Sequence, residues 1–561
     1  MHTRWTRISI PFVALVLVVA ACGGSTTPPP SVAAPTVAPP TVAPPTGTPV
    51  TAATGTPAAE TPTVTPPTET TPPTETTTPS ESAPTETGVP VASETPAITP
   101  VPTPFGVQPS NVPAGAVVVR WFCCLGAGDA PEQVAVEEDI VNKFNAANTD
   151  VQIAFEGIPY SGARDALGTE IAAGNAPDFV GPLGIGGANA FNDQWLDLSK
   201  LIQSTNYDLK QYQTGAVDFY KIGTTQVAIP FAIYPSSLFY QRGMFTEIGL
   251  SEPPHKYGDP YKVTGAKGTA LFGVADGATV PWNYDTVNQL SKLLTVDVNG
   301  KDATEDGFDP TQIVQYGFEP QRDDLRGWGA YFGAGQLAAP DGKTVQIPAA
   351  WEAAWKFFYN GIYTQHTIMD GPTSQSQEFN GGGYAFCSGK VAMQPNFLWS
   401  KYCLGTAGSS WDLAAVPSWQ NNPPSAAFNA DTFRIIKTSK NPEAAFKAMT
   451  YLEGEGSTDL LQTYGGMPAR PNAQKAFFDG IDTNDCCKTD SPLADWNVAK
   501  AGVKYADNPN FEAFMPAYNP SLDILNKYLT KWTSTAGLDM DAEIAALKAE
   551  LQTAWDANPT P

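Results

Sequence analysis

Residues 116–157 read AVVVRWFCCLGAGDAPEQVAVEEDIVNKFNAANTDVQIAFEG, and their periodicity decides the fold. AVVVRWF is a short, continuous apolar run, the pattern of a strand buried on both faces. A glycine-rich turn follows. Asp129 is placed to cap a helix, Pro131 suits its first turn, and Glu132 stands three residues after the cap. Val136, Ile140 and Phe144 recur at i, i+4 and i+8 and give that helix one apolar face. VQIAFEG then alternates as a second strand. SGARDALGTEIAAGNAPDFV, residues 161–180, adds a helix closed by Gly174 and a third strand. Strand, helix, strand, helix, strand implies a parallel sheet with right-handed crossovers. Ligands of such sheets sit beyond the carboxyl ends of the strands, the edge at which Cys123 and Cys124 fall. The turn at Gly126 and Gly128 lacks the third glycine of a dinucleotide loop and carries Pro131 instead, so a nucleotide site is set aside.

The start of the chain fixes the compartment. Arg4 and Arg7 precede the apolar run PFVALVLVVAAC, the order of a secretory leader. The cut region VAAC resembles a bacterial lipobox, which makes 1–21 a signal peptide and Cys22 the lipidated first residue of the mature chain. Residues 22–113 are rich in Thr and Pro, with six Glu and no Lys or Arg. So few large apolar side chains cannot offset the entropy of ordering. This segment is expected to be a disordered tether leaning to polyproline II. About 90 residues at roughly 3.1 Å each would reach some ~280 Å at full extension.

Residues 114–561 are globular in composition and long enough for two lobes. They hold 50 acidic against 30 basic residues. That balance argues against nucleic acid or an anionic lipid surface as a partner. His255 and His366 are the histidines left after the leader, too little material for a His-based metal site or triad, and no metal or cofactor is expected. Six cysteines follow Cys22: 123, 124, 387, 403, 486 and 487. In an oxidising compartment an even set suggests disulfides.

Seven segments then occur in order: IAAGNAPDFV, WLDLSKLI, VAIPFAIYPSSLFYQRGMFTEIGLSEPP, FCSGKVAMQPNFLW, WDLAAVPSW, IIKTSKNPEAAFKAMTYL and GGMPARPNA. With the opening strand–helix–strand they resemble the extracellular solute-binding proteins of ABC importers, family 1, of the maltose-binding type. The resemblance covers nearly all of 115–561. It implies an α/β, two-lobe, type II periplasmic-binding-protein fold with a hinge and an interlobe cleft. Lobe one maps to about 115–232 and 428–470, lobe two to about 235–420 and 471–561. It also implies a carbohydrate ligand, importer permease subunits as partners, a membrane anchor through the N-terminal lipid, and a monomer on the outer face of the cell membrane. DAEIAALKAELQTAWD supports a closing amphipathic helix, with Ile544, Leu547, Leu551 and Trp555 on one face.

A sugar needs aromatic platforms for its C–H faces and planar polar groups for its hydroxyls. Trp399 and Asn396 lead, because VAMQPNFLW keeps the family's Met-to-Trp spacing. Tyr234 occupies the crossover position where a relative carries a ligand-contacting carboxylate. Trp419, Phe428 and Asn429 lie near the second crossover, and Tyr518 and Asn519 on a late loop that faces the cleft in relatives. Trp328 suits stacking or packing equally. Asp178 offers a hydroxyl acceptor, though a turn or cap role weighs more heavily. GPLGIGG at 181–187 and Cys123-Cys124-Leu125 replace loops that are polar in maltose binders, so maltose itself is poorly supported.

The cysteine pairs leave alternatives open. Cys123 and Cys124 join each other and present a sulfur surface to the ligand, or bond Cys486 and Cys487, or are structural or separately paired. Cys387 and Cys403, 16 residues apart, most simply bridge each other, a loop worth about 3 kcal/mol by chain entropy. Two rival functions carry less weight. A glycoside hydrolase needs two carboxylates about 5–9.5 Å apart on one site, and no pair stands out. Ferric-ion and polyamine binders need adjacent tyrosines or several cleft acids, which these loops do not display.

Overall fold

The computed structural model describes residues 103–213, 216–222, 224–321, 325–380, 384–407, 410–483, 493–508 and 510–558. The leader, Cys22, the Thr/Pro-rich stretch to residue 102, Cys486 and Cys487 lie outside the described residues. The first strand, Val117–Cys123 (β1), pairs in parallel with Val151–Gly157 (β2), in register from Val117–Val151 to Cys123–Gly157. It also pairs in parallel with Phe179–Leu183 (β3). Helices Pro131–Ala147 (α1) and Tyr160–Ala172 (α2) make the two crossovers, as the periodicity predicts.

The chain then changes sheets. Ala232–Pro235 (β4) belongs to the same six-stranded sheet, and a single residue, Ser236, separates it from Ser237–Gln241 (β5). β5 is the centre of a second, three-stranded sheet, flanked antiparallel by Met393–Asn396 (β6) and Trp411–Ala414 (β7). The return passes through Phe428–Ile435 (β8) and ends at Met467–Pro468 (β9). The large sheet has the order β9-β4-β8-β3-β1-β2. β8 is antiparallel to both β3 and β4, and β9 to β4. The expected parallel sheet therefore holds for β1 to β3 and gives way where the chain returns from the second sheet.

One local expectation is corrected. Asp129 does not cap α1; its carboxylate accepts from the backbone N–H of Tyr160. Gln133 reaches back instead, accepting from the N–H of Gly128 at 2.8 Å and of Ala130 at 3.4 Å. α1 buries Ile140, Val141 and Phe144, and on the same side it buries Glu137. The core of the large sheet is aromatic: Trp121 lies 4.4 Å from Phe155 between ring centroids and 5.8 Å from Phe433.

Around the second sheet, Ile185–Ala190 (α3) having already closed the first βα series, the main helices are Ala349–Tyr363 (α4), Tyr518–Ser534 (α5) and Met540–Ala557 (α6). Trp355 of α4 meets Trp532 of α5 edge-on. Ile544, Leu547, Leu551 and Trp555 of α6 are all buried, so the closing helix is amphipathic as predicted. Among the described residues no helix is long and apolar enough to cross a membrane.

Candidate functional site

The carboxyl edge of β1 and β3 is where chemistry gathers. Cys123 and Cys124 are joined to each other by a disulfide, which removes the alternative of bonds to Cys486 and Cys487. Both are fully buried. Gly128 roofs them: with φ at +119° it adopts a backbone that favours glycine, and a Cβ there would lie 2.5 Å from Cys123 Sγ and 2.6 Å from Glu137 Oε1. The sulfurs thus lie beneath the loop rather than on it. The expected sulfur face for a ligand is corrected to a support for the 125–129 turn. Tyr464 donates to Glu137 Oε1, and Glu137 Oε2 is buried without a partner among the described residues. Burial pushes this carboxyl well above the usual carboxylate range, against the opposing pull of the Tyr464 hydrogen bond.

The second crossover adds the polar groups. Asn429 of β8 stands opposite Tyr234 of β4. Asp431, two residues on and therefore on the same face, takes a hydrogen bond from Tyr234 Oη at 3.4 Å. Positions where a Cβ would sit on Gly126 and Gly184 are each 3.3 Å from an Asp431 oxygen, and Asn429 Oδ1 is equally close to Gly184. Asp431 therefore lies between the β1–α1 and β3–α3 loops, just past the end of β3. Burial pushes its pKa up to about 7. Tyr234 in turn meets Trp399 at 5.0 Å between centroids, tilted by 56°, and Trp399 stacks on Phe397 at 4.2 Å. Trp399 is only half-buried.

The second half of the molecule reaches across to α3. Arg326 lies over the ring of Tyr518, its guanidinium carbon 5.6 Å from the centroid, and donates to Ala513 O. A Cβ on Gly186 would be 2.7 Å from Glu512 Oε1 and 3.1 Å from Tyr518 Oη. Asn189 donates to Glu512 O at 2.5 Å, and Arg164 to Asn519 Oδ1 at 3.4 Å. Gly186 of GPLGIGG thus makes room for Glu512 and Tyr518, whereas Gly181, Gly184 and Gly187 lie against Phe433, Asp431 and Leu125 on the side of the large sheet.

Tyr234, Asn429 and Trp399 are accordingly brought together, while Tyr518 and Asn519 meet Gly186 of α3 and Arg164 of α2. Other expected contacts go elsewhere. Asp178 accepts from Arg120 N at 2.9 Å and Ser439 Oγ at 2.5 Å, a structural tie. Trp328 is corrected to core, packed on Phe358 at 4.7 Å. Asn396 is fully buried on β6 and turns its oxygen to the N–H of Phe397. Trp419 stacks on Phe332 at 5.4 Å. Phe428 is buried, its N–H held by Asp507. Cys387 is disulfide-bonded, while the side chain of Cys403 lies outside the described residues. Asp431, Glu512, Glu137 and Arg326 escaped the sequence reading. Asp431 had a signal, its two-residue spacing from Asn429 on a strand; the others are placed by contacts distant in sequence.

Among the described residues two groups have metal-ligand composition. In Cys123, Cys124 and Glu137 the sulfurs are already bonded to each other. In Glu252, His255 and Asp412, Arg242 pairs with Asp412, and Tyr240 bonds both Glu252 and His255. That is a structural ion network. A cavity of about 290 Å3 lies by Trp351, Ser425, Tyr505, Asp507 and Phe511. Asp507 there is spent on the N–H groups of Phe428 and Phe511 and on Asn510, so the cavity offers less for recognition than the Asp431 site.

Two sheets between which the chain crosses and returns, with polar and aromatic groups at the junction, suit a capture site. The family described as bacterial extracellular solute-binding protein matches residues 139–484. The chain belongs to that family. These proteins bind solutes and are not enzymes. A curated relative in Brucella abortus (strain 2308), described as a binding protein, is 22% identical over 355 residues, covering 61% of this chain and 74% of its own. Among solved structures, the substrate-binding protein of Listeria monocytogenes in complex with cycloalternan superposes with a TM-score of 0.54 at 16% identity, over 79% of this chain and 98% of that one. The maltose/maltodextrin-binding domain of Bdellovibrio bacteriovorus bound to maltotriose gives 0.53 at 17%, over 79% and 99%. The acarbose-binding receptor of Streptomyces glaucescens gives 0.55 at 14%, over 79% and 99%. At these identities the likeness is one of fold, and it makes this solute-binding protein a mixed α/β molecule of periplasmic-binding type.

Proposed function

We propose that this solute-binding protein captures a sugar or oligosaccharide at the junction of its two sheets and delivers it to an ABC importer permease. The observation that carries the reading is the run Trp399, Tyr234, Asp431 and Asn429. A half-buried indole leans on a phenol whose hydroxyl meets a carboxylate, with a planar amide beside it. Aromatic surface for C–H faces next to acceptors for hydroxyls is the combination a carbohydrate needs. The ligands named for the structural neighbours, cycloalternan, maltotriose and acarbose, support the same class.

In this reading the segments 115–232 with 428–470, and 235–420 with 471–561, form two lobes that close over the ligand. Closure follows from differential affinity: a ligand touching both halves favours the state in which both are near. Tyr518 and Asn519 supply the far wall. Cys22 carries the lipid that holds a monomer at the outer face of the cell membrane, and Cys387 pairs with Cys403. Calorimetry of the purified domain against glycans, polyamines and peptides tests the reading. At least one saccharide should bind with a micromolar or tighter Kd. Binding confined to polyamines or peptides would overturn it.

A further inference from the structure

Asp431 is unusual among the acids at this junction. It is 7% exposed, and it sits at the carboxyl edge of the large sheet, between two loops that owe their approach to glycine. Its Oδ2 takes the Tyr234 hydroxyl, and its Oδ1 takes no hydrogen bond from the described residues. No lysine, arginine or histidine among the described residues pairs with it. The basic group on its own strand, Arg434, lies over the ring of Trp195 instead. From the other elements the titratable groups facing it are phenols. Tyr234 comes from β4, Tyr220 from the segment before it, its hydroxyl on Asp431 O, and Tyr464 from the helix Ser457–Tyr464. Burial holds all three well above the ordinary tyrosine value, so they stay neutral through the physiological range. Glu137 lies one step further, behind Tyr464.

A buried carboxylate with an unused oxygen and no counter-ion carries an unmet electrostatic demand. Burial leaves that demand largely unmet and pushes the pKa of the acid up to about 7. A ligand hydroxyl can meet it directly. We propose that Asp431 is the specificity-determining acceptor of the site, taking a hydrogen bond from a ligand hydroxyl as the ionised acid, so that capture releases a proton. The carboxylate that the sequence lacks at position 234 is thereby restored from the neighbouring strand, two residues from Asn429. The proposal rests on the sugar reading above. The balance is simple: neutral carboxyl plus ligand gives carboxylate hydrogen-bonded to ligand, and the proton passes to the buffer. Hydrogen bonds to an ionised acceptor are about twice as strong as neutral ones, so binding holds the acid ionised to lower pH than in the free protein. Affinity then rises with pH up to about 7 and levels off above it.

The test is calorimetry with the tightest saccharide of the panel from pH 5.5 to 8.5, in buffers of different ionisation enthalpy. Wild type should release up to one proton near pH 6.5 and bind about tenfold or more weakly at pH 5.5 than at pH 8, since at most a decade is lost per pH unit. Asp431→Asn should bind more weakly at pH 8 and show neither the slope nor the proton release. Equal affinity across the range in wild type, or an unchanged slope in Asp431→Asn, would overturn the proposal while leaving the sugar reading intact. If no saccharide binds at any pH, the sugar reading fails and takes this one with it. Should Asp431→Asn not fold, proton release by wild type decides alone.

Discussion

Trp399 and Trp328 are the same residue type in similar settings, each close to glycine, aromatic or asparagine neighbours, yet they end in different places. Trp328 has Leu325 one turn back on its short helix and fills the space above Phe358. Trp399 is the second residue of the 3-10 helix Leu398–Ala407; it lies against Tyr234 with its indole half-covered. An indole satisfies a core and a ligand equally well, so residue type could not separate them; only the exposed remainder does. On the sugar reading, Trp399→Ala should raise the saccharide Kd at least about tenfold, the equivalent of about 1.4 kcal/mol. Phe397 also leans on that ring, so thermal unfolding should be followed alongside. A Kd within twofold of wild type, with the fold intact, would place the ligand elsewhere.

At the scale of elements, the β1–α1 unit joins the legible to the illegible. Its first strand follows from a continuous apolar run, its helix from a 3.6 period and its second strand from alternation, and the structure reproduces their positions within a few residues. The turn between them does not follow. Gln133 rather than Asp129 holds the helix start, and Asp129 turns to Tyr160 because the β2–α2 connection lies beside it, a neighbour that no local pattern reveals. Glu137 is the sharper case. Its helical position puts it on the face of Ile140 and Phe144, where a carboxylate is expected only if something shields it. The shield is Tyr464, 327 residues away. Likewise the antiparallel place of β8 beside β3 depends on the chain returning after a second sheet. Gly128 ties these pieces together and can be tested alone. Gly128→Ala would place a methyl among two sulfurs and a carboxylate on a backbone with positive φ, so stability should fall by at least ~1 kcal/mol. Calorimetric unfolding within a degree of wild type would show that the turn tolerates it and that the packing argument is wrong.

At the scale of the whole molecule, four buried acids among the described residues share one trait. Burial raises Asp431 and Asp507 to about 7, and Glu137 and Glu453 well above the normal carboxylate range. They sit where distant segments meet: Asp507 holds the start of β8, Glu453 faces Thr432 in its middle, and Glu137 joins α1 to Tyr464. The sign follows from linkage. Each acid keeps its proton in the folded state to higher pH than in the unfolded chain, so between about pH 4 and 7 the folded state holds more protons. Stability from this source is full near pH 4 and is lost as pH rises through the folded values. The net charge of −24 acts the same way, because ionising more acids adds self-repulsion. The melting temperature should therefore fall by a few degrees from pH 5 to pH 8. Glu453→Gln separates burial from surface charge. Among the described residues Glu453 Oε2 has no partner, and an amide mimics the neutral acid that burial favours. The variant should melt higher than wild type at pH 8, about equal to it at pH 5, and show a shallower slope between them. A variant equally destabilised at both values would mean that Glu453 is held as a carboxylate, with Arg470, the one basic group that lowers its pKa, outweighing the cost of burial.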